Sequence, residues 1–170
     1  MPPSLAFSST RRGDDKRTRA LYQAKGYSDD WIEKRMRSIA IRDELTDEWK
    51  KRGVKEQREY AILTAEISKA AFGLTPTEYA EFKKLKRENL RDHMTDLELI
   101  FSMLGEASTT EIARNRDAQG LPQNQQAAHQ GGTVAGNARR ELESKSGRKV
   151  VTSENYLALT QAAKKVKPLR

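Results

Sequence analysis

The most apolar window of this otherwise polar chain runs from Met94 to Gly105, and it constrains the fold more than any other stretch. Six large apolar side chains occur there within eight residues: Leu97, Leu99, Ile100, Phe101, Met103 and Leu104. Thr95 and Glu98 have the spacing of a capping box, and Gly105 is suited to end the helix. A helix that is apolar on nearly all sides needs several partners, which predicts a central core helix. A hydrophobic ligand pocket or a partner groove is the alternative interpretation.

The composition limits the size of that core and excludes several classes of site. The chain has 170 residues, of which 36% are hydrophobic and 33% are charged. We therefore expect one domain with a small core and long solvated helix faces. The absence of cysteine excludes disulfides and thiolate sites and fits a reducing, cytoplasmic compartment. We expect neither a membrane span nor a secretory signal, because no sufficiently long apolar run is present.

Positive charge is concentrated in the terminal regions. The formal net charge is +8 at pH 7. Residues 1–53 carry a net +4 and residues 123–170 a net +6, whereas residues 95–122 carry a net −3. A basic periphery of this kind can face nucleic acid or an acidic protein surface. Solubility alone is the competing explanation.

Helical periodicity and capping residues predict an all-α fold, a compact bundle of about seven or eight helices with flexible termini. The expected organisation is a flexible leader at 1–13, a helical domain at 14–163 and a basic tail at 164–170. One very short extended segment is expected at Val150–Val151. Trp31 and Trp49 lie on an apolar stripe, so core burial is favoured over stacking on a nucleic-acid base.

Local signals also predict where helices start, stop and approach one another. Thr75 and Glu78 form a second capping box, and Ser108 and Glu111 a third. Residues 120–122 (Gly-Leu-Pro) predict a break. Small residues near the glycine pair 131–132 predict a close helix contact or a kink: Gly132, Ala135, Gly136 and Ala138. The basic run 83–87 is interpreted as a solvated face.

Few residues in this chain are suited to catalysis or metal binding. The two histidines, His93 and His129, are far apart in sequence, and no HExxH spacing or nucleophile motif occurs. We therefore predict no cofactor, no metal site and no small-molecule substrate. The best candidate for a metal-dependent nuclease is the acidic group Glu106, Glu111 and Asp117.

A basic surface near the carboxyl end is the strongest candidate site for nucleic acid or a partner. It comprises Arg139, Arg140, Arg148, Lys149, Lys164 and Lys165. These side chains can neutralise phosphates without reading base sequence. The short helices predicted around Gly120 resemble a helix-turn-helix, but residues 123–130 lack any arginine or lysine to anchor a recognition helix.

Four long blocks carry a resemblance to a known family. They are residues 34–67 (KRMRSIAIRDELTDEWKKRGVKEQREYAILTAEI), 73–99 (GLTPTEYAEFKKLKRENLRDHMTDLEL), 105–113 (GEASTTEIA) and 131–157 (GGTVAGNARRELESKSGRKVVTSENYL). These strings resemble the bacterial DNA-damage-inducible protein D family, and the similarity covers about residues 27–157. Family members look like two-part proteins, in which a domain similar to the Bro antirepressor domain precedes this helical part. We expect this chain to correspond to the helical part alone.

The resemblance implies a place in the SOS response, with the RecA filament on single-stranded DNA as partner. A Bro-type protein acting in trans is a further expected partner. The leading hypothesis is therefore a non-enzymatic accessory factor that binds a nucleoprotein assembly through its basic surface. A DNA-binding, antirepressor-like regulator is the second hypothesis, and a metal-dependent nuclease is the third.

Overall fold

Six α-helices and one short 3-10 turn form the described part of this chain, and no strand occurs there. The structure is a computed structural model that describes the backbone of residues 3–156 and the side chains of residues 14–156. The α-helices are α1 (Pro3–Lys25), α2 (Asp29–Lys51), α3 (Arg58–Phe72), α4 (Pro76–Phe82), α5 (Asp96–Arg116) and α6 (Gly120–Ser146), and the 3-10 turn is Leu90–His93. The predicted all-α fold is confirmed, and six α-helices lie within residues 3–156, where seven or eight were predicted for the chain.

The helix break predicted before Ser108 does not exist, which lowers the count of helices within residues 3–156. α5 continues through Gly105 to Arg116, so the helix start predicted at Ser108 is wrong. α6 begins at Gly120 and runs without interruption past the glycine pair 131–132. Pro122 lies in the first turn of α6, where a missing N–H removes no helical hydrogen bond. The break predicted here is present just before this proline, because α5 ends at Arg116 and α6 begins at Gly120.

Two further local predictions differ from the structure. α1 begins at Pro3, so the leader boundary predicted at residue 13 falls inside this helix. Val150 and Val151 form bends rather than an extended segment, because the Val150 N–H bonds to a side chain, the Glu143 carboxylate, instead of a neighbouring strand. The predicted tail, 164–170, lies outside the described residues. No helix within residues 3–156 has the length and apolar character needed to cross a membrane.

α5 is the central helix, because it contacts α2, α3 and α6. The predicted capping box of Thr95 and Glu98 is present at its start. Not all of its six large apolar side chains face the core. Phe101 is buried as expected, whereas Leu97 and Ile100 are 46% and 41% exposed.

Polar side chains occupy much of the buried face of α5, because charged partners reach them there. Glu106 is 2% exposed and accepts hydrogen bonds from Arg42 of α2 and Arg91 of the 3-10 turn, at 2.8–2.9 Å. Burial by itself raises the pKa of this carboxyl, but Arg91 and Arg42 hold it below its ordinary value. Glu106 therefore takes a core position on α5, while Leu97 and Ile100 lie on the exposed side of the helix.

α6 lies close against α3, because its facing positions lack side chains. A Cβ atom added at Gly132 would lie 2.6 Å from the carbonyl oxygen of Ile67, and one at Gly136 would overlap the Ala70 carbonyl. Real Cβ atoms do not approach backbone so closely, so both positions require glycine. The close contact predicted from the small residues is confirmed. It holds the second half of α6 against the end of α3.

We expect Gly132→Ala to lower the free energy of unfolding by about 2 kcal/mol, because a backbone carbonyl would have to move. Gly105→Ala is the matched control, since its nearest neighbour is the flexible Ile67 Cγ2 at 3.2 Å. The control should change stability by less than about 1 kcal/mol, because alanine also favours the helix. Urea unfolding measures both variants. Equal stability of the two would contradict this account.

Candidate nucleic-acid interface

The chain turns back on itself at the end of α6. Gly147 adopts a left-handed conformation with φ of +76°, which ends the helix and reverses the chain. The carboxylate of Glu143 then accepts a hydrogen bond from the Val150 N–H at 2.9 Å. The same carboxylate pairs with Arg139 Nη1 at 2.9 Å. These contacts fix residues 148–150 beside the helix end.

The surroundings of Glu143 keep its carboxyl ionised. Partial burial raises the pKa of this group, but the Val150 N–H and the Arg139 guanidinium outweigh that effect and bring the pKa below its ordinary value. Because the folded-state pKa lies below the unfolded-state value, the contact stabilises the fold above the unfolded-state pKa. That stability is lost as the pH falls through the folded-state pKa.

Arg140, Arg148 and Lys149 converge on one hollow of about 350 Å³ at the end of α6. The hollow is completed by Glu143, Ser144 and Gly147. All three cations are exposed, and within residues 14–156 none of them forms an ion pair. Arg140 donates one hydrogen bond, to Asn137 Oδ1 at 2.5 Å. The structure therefore brings together three of the predicted site residues, which can hold an anion between them.

The other three predicted site residues do not join this hollow. Arg139 donates from Nε to the Ala71 carbonyl at 2.7 Å and pairs with Glu143, and its side chain is only 12% exposed. The guanidinium of Arg139 is therefore committed to the packing of α6 on α3. Lys164 and Lys165 lie outside the described residues.

A buried ammonium group fixes the segment that follows the hollow. The side chain of Lys83 is fully buried, so the prediction of a solvated face for 83–87 is wrong at this position. Its Nζ donates to Glu98 Oε1 at 2.8 Å and to the carbonyl oxygens of Thr152 and Glu154 at 2.9 and 2.6 Å. Lys83 therefore ties the chain beyond the hollow to the start of α5. Sequence reasoning missed this role, because the three acceptors come from distant segments.

The acidic group considered for a nuclease is not assembled. Glu106 is buried between two arginines, Glu111 accepts from Asn115 at 2.9 Å, and Asp117 pairs with Arg52 at 2.9 Å. Across the described residues, no group of three or more acids or histidines is placed to hold a metal ion. The nuclease hypothesis thus has no assembled metal site in that part of the chain.

The predicted helix pair around Gly120 is not a helix-turn-helix of short elements. Residues 123–130 belong to the 27-residue helix α6, which packs on both α5 and α3. Asn124, Ala127 and Ala128 are buried in that packing. This segment contributes to the core of the bundle.

Comparison with known proteins adds no further constraint on the site. No family model, curated protein or solved structure matches this chain. The candidate interface therefore depends on the geometry of its own residues.

Glu143→Gln should lower the free energy of unfolding by about 1.5–3 kcal/mol at pH 7, the usual contribution of a hydrogen bond to a charged group. The difference from wild type should shrink as the pH falls below the ordinary pKa of a glutamate, because the wild-type carboxyl then takes up a proton. Urea unfolding across pH measures it. Glu141→Gln, which removes an exposed pair with Lys145, is the control and should cost less than about 1 kcal/mol. A cost that does not vary with pH would rule out the ionic contact.

Lys83→Met should lower the free energy of unfolding by about 3–5 kcal/mol, because it leaves the Glu98 carboxylate buried without a cation. The double variant Lys83→Met/Glu98→Gln should recover part of that loss. A double-mutant cycle by urea unfolding measures the coupling. Strictly additive costs would show that the two groups do not interact.

Proposed function

We propose that this chain is a non-enzymatic accessory protein of the bacterial DNA-damage response, which binds a nucleoprotein assembly through the hollow of Arg140, Arg148 and Lys149. The observation that carries this proposal is the convergence on one hollow of three cations, none of which forms an ion pair within residues 14–156. The resemblance to the DNA-damage-inducible protein D family favours the RecA filament on single-stranded DNA as that assembly.

Three cations around one hollow are suited to the phosphate groups of DNA. Arginine donates two parallel hydrogen bonds to a phosphate, and lysine adds a mobile point charge. Each neutralised phosphate releases bound counterions, so the contact is favourable but sensitive to salt. Such contacts position a protein without reading base sequence. That property suits a factor that acts on a filament wherever it has assembled.

The test is RecA-promoted strand exchange with and without the purified chain. We expect the wild-type chain to change the rate of strand exchange. Arg140→Glu/Arg148→Glu should need at least about tenfold more protein for the same effect, because it replaces two phosphate contacts by repulsion. Lys55→Glu/Arg58→Glu is the matched control. It makes the same change in net charge at exposed positions near the start of α3, and should act like wild type.

Unchanged strand exchange with the wild-type chain would reject the proposal. An equal effect of both charge reversals would show that net charge, not the hollow, is responsible. Binding to duplex DNA alone with a steep salt dependence, and no effect on filaments, would instead support the antirepressor-like hypothesis.

A further inference from the structure

A groove of about 590 Å³ adjoins the hollow and shares Arg148 and Lys149 with it. Phe82, the last residue of α4, and Leu97, in the first turn of α5, also line this groove. Its remaining lining residues are Thr95, Val150, Val151, Thr152, Ser153 and Glu154. The groove therefore combines an apolar surface with two cations at the boundary to the hollow.

Phe82 offers the exposed aromatic ring of this groove. It is 46% exposed, and no other aromatic side chain within residues 14–156 is exposed to this extent. Trp31 and Trp49 are fully buried, which confirms their predicted place in the core and excludes stacking on a ligand. Leu97, also 46% exposed, extends the apolar surface. Phe82 is thus the ring that a ligand can reach.

The wall of the groove is held in place before any ligand binds. Lys83, the residue after Phe82, donates to the carbonyl oxygens of Thr152 and Glu154 from its buried side chain. A pre-formed site loses little conformational entropy on binding. The groove is therefore a built surface and not a transient gap between mobile segments.

The charges of the groove indicate an anionic occupant. Arg148 and Lys149 line it together with one acid, Glu154. Beyond the groove lining, the exposed charges next to Phe82 are three cations, Lys84, Lys86 and Arg87, and two acids, Glu81 and Glu88. A ligand that satisfies both the ring and the cations needs a flat apolar part beside a negative group. A nucleotide within a single strand has this chemistry.

We propose that the groove binds single-stranded DNA, with one base stacked on Phe82 and the neighbouring phosphates on Arg148, Lys149 and Arg140. The inference rests on the proposed function, because it takes the same cations as phosphate ligands. Bases of a duplex are already paired and stacked, so only an unpaired base can lie on this ring. The surface therefore prefers single strands to duplexes and tolerates any base sequence, since every base has a π face.

The experiment measures the anisotropy of a labelled oligothymidylate and of a duplex of equal length on adding the full chain. We expect the single strand to bind more tightly than the duplex. Phe82→Leu keeps the apolar bulk and removes the ring, so single-strand affinity should fall about tenfold. The salt dependence of single-strand binding by Phe82→Leu should equal that of wild type. Arg148→Glu/Lys149→Glu should instead make the slope of log K against log salt shallower by about 0.7 for each phosphate that the variant no longer neutralises.

Phe82→Trp adds a spectroscopic readout, because the two native tryptophans are fully buried. Its affinity should equal or exceed that of wild type, and the added indole emission should be quenched by oligothymidylate. Val134→Ala, which trims another exposed apolar side chain, on α6, is the control and should bind like wild type.

The outcomes separate this inference from the function on which it rests. If Phe82→Leu binds as wild type while the charge-reversed variant does not bind, the base position is wrong and the phosphate surface stands. Equal affinity for single strand and duplex would also overturn the base position. So would an acidic peptide that displaces the oligonucleotide from the wild-type chain but not from Phe82→Leu, because the ring would then hold the peptide. Tighter binding of oligouridylate would overturn the assignment to DNA. If the chain bound no nucleic acid, this inference would be overturned. If it still changed strand exchange, the proposed function would stand, with a contact to the protein of the filament in place of a contact to DNA.

Discussion

The buried ion pair between Lys83 and Glu98 is the interaction on which the site end of this molecule depends. Removing two charges from water is costly, and such a pair persists only when its remaining donors and acceptors are satisfied. Here Lys83 reaches three oxygens, and Glu98 also accepts from the Tyr79 hydroxyl and the Thr95 N–H. The pair therefore fixes α4, α5 and the segment after α6 in one arrangement. An apolar pair would fill the same space without specifying which carbonyl groups lie against it.

Charged contacts give the same specificity to the packing of α2 on α5. Three pairs join the two helices and the residues that end them, at a nearly constant separation of 64–66 residues: Arg42–Glu106, Glu48–Arg114 and Arg52–Asp117. The constant separation shows that the helices run parallel in one register. Apolar side chains tolerate repacking at similar volume, whereas a buried carboxylate without its arginine is strongly unfavourable. Only 36% of the residues are hydrophobic, so the core is small and these pairs help to fix the register of α2 on α5.

The sequence predicted where helices start better than what they contact. The capping box at Thr95 is recognisable from a spacing of three residues, but the same spacing at Ser108 and Glu111 falls inside α5, where packing on other helices continues the helix. Gly105 was expected to end a helix, but packing against other helices keeps it inside α5. The burial of Lys83 depends on acceptors 15 to 71 residues away, which no local pattern reveals. Arg139 differs, because Glu143 at i+4 is a local signal that could have marked it as structural.

The positions of Arg140, Arg148 and Lys149 favour the proposed contact with an anion over a role in solubility alone. Charges that serve solubility need only be exposed, and mutual repulsion favours spreading them apart. Here the left-handed turn at Gly147 and the hydrogen bond from Val150 to the helix bring cations from both sides of the turn to one hollow. Holding like charges together destabilises the free protein, and a bound anion reverses that cost. The clustered cations therefore support the proposal of a negatively charged ligand, and the exposed ring of Phe82 beside them supports the proposal of a stacked base.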